Sequence, residues 1–245
     1  MEKIHQEIAS RLLSLNSQVD KEELFPALTP GASEFTHSHP YAFCVATCLD
    51  RGTKAEIIWT IPYWIYQVVG HFDPVRFYQM SIVEITGIFT QLPKKPRYLN
   101  AAPRTFQDVT RIVVDQFGGH AERIWTNKRA IDVRRTFLSV YGVGSGIANM
   151  AVILIEKAYG FQFSDLDHTR MDIKPDVHTT RVLYRLGVSA AMDENEAVMA
   201  ARYLNPPYPG GIDGALWFVG RKWCLALKPT CAQCPMNSIC PKIDI

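Results

Sequence analysis

The sequence has no run of about 20 uninterrupted apolar residues, the length needed to cross a bilayer, and its start, MEKIHQEIAS, lacks the apolar core of a secretory signal. A cytoplasmic protein is expected. It also lacks a decisive charge. With 26 Lys and Arg against 24 Asp and Glu the net value is +2, and a near-neutral total can hide a basic face or no face at all. Charge therefore neither argues for nor excludes an anionic partner. No stretch alternates apolar and polar residues as a half-buried strand would, and no internal repeat is present. Nor is the chain short of apolar residues. At 47% hydrophobic and 20% charged over 245 residues, it is not a disordered chain and has material for one large or two modest domains.

What is present reads as helix after helix. Residues 3–16 set Ile4, Ile8, Leu12 and Leu15 on one helical face, and residues 17–40 follow as a polar, proline-containing connection. Apolar runs over 41–49 and 57–69 predict two largely buried helices, joined by a polar turn at 50–54 of the kind that can project toward a ligand but that reads first as an ordinary interhelical connection. Cys44 and Cys48, four residues apart, read as core. Ser81 with Glu84 carries a capping-box signature, and a basic, proline-punctuated connection with Lys94, Lys95, Arg97 and Arg104 follows, which suits a phosphate contact but reads first as a solvated loop. Phe106, Val109, Ile112, Val113 and Phe117 recur at helical spacing until Gly118 and Gly119 stop them. A helix over 130–140 and another from 145 to about 159 flank a glycine turn. A polar, acidic stretch follows at 161–174. Pro175 and Asp176 then open a helix through VHTTRVLYRLG, and Asp193 with Glu196 caps one more. The fold class is all-α.

Two features carry chemistry. The first is the turn VYGVGSG. Gly142 can adopt positive φ, and the glycines leave the amides that open the next helix accessible to a phosphate. Such a turn serves equally as a plain helix-helix connection or as a clamp on a nucleic-acid backbone, read without regard to sequence. The second is Asp176, at an N-cap position, where its carboxylate is expected to accept backbone amide hydrogen bonds.

The six cysteines are unevenly placed, with Cys224, Cys231, Cys234 and Cys240 crowded at the end in a C-x6-C-x2-C-x5-C spacing. A chain without a secretory signal more readily uses such a group for metal than for disulfides. A zinc ribbon would present two C-x2-C knuckles and this segment has one, so iron-sulfur is favoured over zinc. Four protein ligands leave no open coordination position, which suits a scaffold or electron-transfer role.

The GVG turn, the aspartate in PDVHTTRV, the terminal GRKWC and the cysteine spacing, in this order, resemble the endonuclease III branch of the helix-hairpin-helix base-excision DNA glycosylases over residues 38–242. The resemblance implies two helical domains with a DNA-binding cleft between them, a central domain over 37–145 and a discontinuous one of 1–36 plus 146–245. It implies Asp176 as catalytic carboxylate, and Gly142, Val143, Gly144, Ser145 and Gly146 as the phosphate-binding hairpin. It further implies Cys224, Cys231, Cys234 and Cys240 as ligands of a 4Fe-4S cluster. The partner would be double-stranded DNA containing a damaged or mismatched base, bound by a monomer.

The departures are as informative. Bifunctional relatives carry a lysine in the hairpin helix whose amine attacks the sugar, and the matching position here is Gly146. Glycine has no nucleophile, so hydrolysis by water under Asp176 is expected, through an oxocarbenium-like sugar and an everted base. Against the family spacing, 161–174 includes an insertion of about a dozen residues, with Lys174 among them and with His168 and Arg170 placed equally to line a base pocket or to form a solvated loop. The glutamine-bearing loop that relatives push into the duplex is not recognisable in DRGTKAE. Tyr41, Tyr63, Trp64 and Tyr66 are aromatic enough for a base pocket but read as core, and no role is assigned to them.

Overall fold

Caps and apolar periodicity, rather than strand pairing, build this chain. The computed structural model describes residues 2–245, with every side chain in that range except those of Lys21 and Glu22, and among the described residues the regular structure is entirely helical. Two compact units form, Phe25–Leu166 on one side and residues up to Leu24 with Asp167–Ile245 on the other. The divisions expected from sequence lay at 36/37 and 145/146.

The helices α1 (Lys3–Gln18) and α2 (Lys21–Leu24) belong to the discontinuous unit. The continuous unit begins with α3 (Pro30–Ser38), which lies inside the segment read from sequence as a connection. The Thr29 side chain accepts from the Ala32 amide and Pro30 occupies the first turn, so the helix has a local start signal. α4 (Pro40–Leu49) is buried from Tyr41 to Leu49. The apolar run read as one helix over 57–69 is instead α5 (Ala55–Ile58) and α6 (Ile61–Val69). Pro62 has no amide to continue the ladder and stands in the first turn of α6, where none is needed.

α7 (Pro74–Tyr78) precedes α8 (Ile82–Gln91), where Ser81 and Glu84 form the expected reciprocal capping box. α9 (Ala102–Phe117) buries Phe106, Val109 and Val113 and ends at Gly118, whose φ of 64° suits glycine. α10 (Ala130–Leu138) and α11 (Ser145–Tyr159) flank the glycine turn. The Arg134 Nε donates across this pair to the buried Asn149 Oδ1 at 2.7 Å. α11 is buried from Ile147 to Ile155 on every face, as befits a central helix. Asp165 accepts from the Ala130 amide at 3.0 Å, giving α10 the cap that Arg129 cannot supply.

The discontinuous unit adds α12 (Val177–Arg185), α13 (Glu194–Leu204) and α14 (Asp213–Lys222). With α1 they enclose a core that includes Ile8, Leu12, Val182, Leu183, Ala197 and Leu216. From Asp167 onward the acidic stretch before Asp176 is anchored in this unit. Met171 and Ile173 are buried, the Met171 carbonyl accepts from the Gly210 amide at 2.6 Å, and Asp172 takes both arms of Arg202 at 2.7 Å. Among the described residues no helix is long and apolar enough to cross a membrane.

Candidate functional site

In the continuous unit the glycine turn is held from beneath. Gly142 has φ of 79° and its carbonyl accepts from the Arg51 guanidinium. Glycine is required here by backbone conformation, and a Cβ would also push aside the flexible Arg51 guanidinium. The other arm of Arg51 donates to Thr105 Oγ1 at 2.8 Å, and Thr105 donates to the Tyr141 carbonyl at 2.9 Å. The Tyr141 amide in turn donates to Asp108 at 3.1 Å. Carbonyls of the turn are thereby fixed inward, while Val140 and Val143 are buried as its apolar anchors. α11 then starts at Gly144 without any side-chain cap. Its first-turn amides are therefore open to an anion, at the positive end of a 15-residue helix. Gly144 itself has ordinary extended backbone and open space at its Cβ position, so the second glycine serves access, not conformation.

In the discontinuous unit Asp176 is the N-cap of α12, as read from sequence. Its Oδ1 accepts from the amides of His178 at 2.8 Å and Thr179 at 2.9 Å, and its own amide donates to Thr179 Oγ1 at 2.8 Å. Capping thus occupies one carboxylate oxygen and spares the other. The position is half-buried.

Two arginines of the same helix, with no assigned role from sequence, join it to the cysteine segment. Arg181, nearly buried, donates to the carbonyls of Cys224 at 2.6 Å, Val177 at 2.7 Å and Gly220 at 2.9 Å. Arg185 donates to the carbonyls of Leu225 at 2.7 Å and Ala226 at 3.0 Å, and its Nη1 lies 3.6 Å from Cys224 Sγ. The only available signal was their spacing of four, which places both on one face of α12.

The glycine of GRKWC also finds its reason here. A Cβ on Gly220 would lie 2.7 Å from His178 Cβ and 3.0 Å from its Cα and carbonyl oxygen, so α14 and the start of α12 touch through that glycine. Gly220→Ala is expected to cost about 1–3 kcal/mol as an overpacking change, read by thermal denaturation. It should also displace the His178 amide that holds Asp176.

Cys224, Cys231, Cys234 and Cys240 line one shallow hollow with Met236 and Arg185 in its wall. Burial first, then the neighbouring cysteines, raise the thiols of Cys234 and Cys240 above their ordinary value, although a backbone amide acts in the other direction at each. Four thiolates here would repel one another until cationic metal neutralised them. Among the described residues no three of His, Cys, Asp or Glu gather around a single-ion position.

The remaining candidates are dispersed. Tyr41 is core, its hydroxyl bonded to Thr110 at 2.6 Å. Tyr63 and Trp64 are half-buried and Tyr66 is exposed. His168 sits edge-on to Tyr208 and Arg170 pairs with Asp167 at 3.2 Å on the surface.

No protein-family model matches the chain. It is 23% identical to endonuclease III of Bacillus subtilis (strain 168) over 209 residues, which cover 84% of this chain and 83% of that one. Its fold is similar to that of endonuclease III in a trapped covalent DNA intermediate with an estranged adenine. The TM-score is 0.65 at 19% identity, over 99% of this chain and 97% of that one. A thermostable thymine-DNA glycosylase gives a TM-score of 0.61 at 19% identity, with 98% and 96% covered.

Proposed function

We propose that this chain, a member of the helix-hairpin-helix base-excision glycosylase superfamily in its endonuclease III-like branch, is a DNA N-glycosylase of base excision repair. It hydrolyses the bond between deoxyribose and an everted, damaged or mismatched base with Asp176 and water. The turn at Gly142–Gly146 holds the strand through backbone amides, and the second carboxylate oxygen of Asp176 stabilises the cationic sugar and orients the water. Eversion is cheapest for a mismatched or damaged base, so selection begins before chemistry.

The observation that carries the hydrolytic reading is Gly146. One endonuclease III of similar fold has been caught as a covalent intermediate with DNA, whereas the residue here that matches the family's amine-bearing position has no side chain to attack a sugar. No borohydride-trapped adduct is therefore expected with abasic or lesion DNA. A trapped adduct would show that a displaced amine, Lys174 being nearest in sequence to Asp176, takes the missing role.

The four cysteines suit a 4Fe-4S cluster. They line one hollow together, and Arg185 beside Cys224 offers a donor to a sulfur ligand. When bound, such a cluster supplies charge and structure from a closed site without offering substrate a coordination position. A second reading, a DNA-damage-binding protein without catalysis, is motivated by the same Gly146. The experiment that separates the two is base release over duplexes carrying uracil, a thymine mismatch, hypoxanthine, alkylated or oxidised bases.

A further inference from the structure

Arg51 and Arg104 approach the turn in different ways. Arg51 is committed inward, to the Gly142 carbonyl and to Thr105. Arg104 is exposed, and its guanidinium carbon stands 3.9 Å over the ring of Tyr141, the residue that precedes Gly142. Among the described residues Arg104 has no carboxylate partner. The nearest acid on its helix face, Asp108, is engaged by the Tyr141 amide. Stacking on an aromatic face restricts the rotamers of a long cation and leaves its N–H groups free at the edge, the arrangement in which arginine takes a phosphate oxygen in a forked bond. Tyr141 is itself exposed and belongs to the turn whose amides open α11.

We propose that Arg104, stacked on Tyr141, binds a phosphodiester next to the one held by the hairpin amides, while Arg51 is a positioning residue that shapes the turn without touching DNA. This rests on the reading that the hairpin holds DNA. The two arginines then differ in a measurable way. A cation that neutralises a phosphate releases a counterion and contributes about 0.9 to the slope of log affinity against log salt concentration. A residue that only shapes a neutral amide site contributes nothing to that slope.

The test is fluorescence anisotropy of the full chain with an undamaged duplex over a salt series, with thermal denaturation of each variant alongside. Arg104→Gln is expected to weaken binding about fivefold to tenfold and to lower the slope by about 0.9. Tyr141→Ala should weaken binding by freeing the guanidinium. Arg51→Gln should weaken binding with the slope kept, and Thr105→Val should do the same. An unchanged slope in Arg104→Gln, or an equal loss of slope in Arg51→Gln, overturns the proposal while the hairpin reading stands. A wild-type chain with no measurable duplex affinity overturns both.

Discussion

Asp176→Asn is expected to lower the rate of base release by about 10³-fold, within the range that a positioned acid-base carboxylate supplies, with melting temperature and duplex affinity nearly unchanged. Asparagine is as good an N-cap as aspartate, and its amide oxygen can keep the two bonds from His178 and Thr179 that Oδ1 now accepts. What it removes is the charge and the basic character of the spared oxygen. The substitution therefore separates the capping role, which the hydrogen bonds of Asp176 show, from the proposed catalytic one. If Asp176 only caps α12, the asparagine variant should be fully active. Asp176→Ala is the less informative change, because it deletes the cap as well, at about 1 kcal/mol.

Cys234→Ser should have the second large effect. We expect loss of the brown colour and of the roughly four irons per chain that a 4Fe-4S cluster would give. We also expect destabilisation on the order of 3 kcal/mol, enough to move the melting temperature of a domain this size by about 10 °C, since metal binding is coupled to folding. Base release should fall with it. The reason is the route from the cysteines to Asp176: Arg181 and Arg185 fasten α12 to the carbonyls of Cys224, Leu225 and Ala226. Loosening the cysteine segment would unseat buried guanidinium groups, each hydrogen bond to a charged group being worth about 1.5–3 kcal/mol. A Cys234→Ser protein with normal melting, or a wild-type protein holding one zinc per chain, would contradict this account of the segment.

Much of the fold was legible because its signals are local. The capping box of Ser81 and Glu84, the N-caps of Asp176 and Asp193, and the stop at Gly118 each involve residues within one turn of one another. A sequence pattern records such contacts directly. Where the pattern misled, a second local signal competed. Thr29 and Pro30 start α3 within a stretch that looked too polar for a helix, and Pro62 divides a run whose apolar character reads as continuous.

The glycine turn, the N-cap at Asp176 and the clustering of the last four cysteines were legible as local patterns, but what holds them was not. Arg51 lies in a turn read as a plain connection, yet it reaches Gly142 far along the chain. The collision distance at Gly220 is likewise set by His178 on another helix. Neither relation has a spacing that a single sequence could reveal. The acidic stretch before Asp176 was half-legible: Asp165 caps α10 and Asp172 grips Arg202, each through a partner on a different helix.

The most direct measurement is a single-turnover assay of the wild-type chain over the panel of lesion duplexes, with free base and strand cleavage scored separately. Free base is expected from at least one duplex, with an abasic strand that stays intact until treated with alkali and no borohydride adduct. Release of no base from any duplex, or strand cleavage through a trapped covalent adduct, would contradict it.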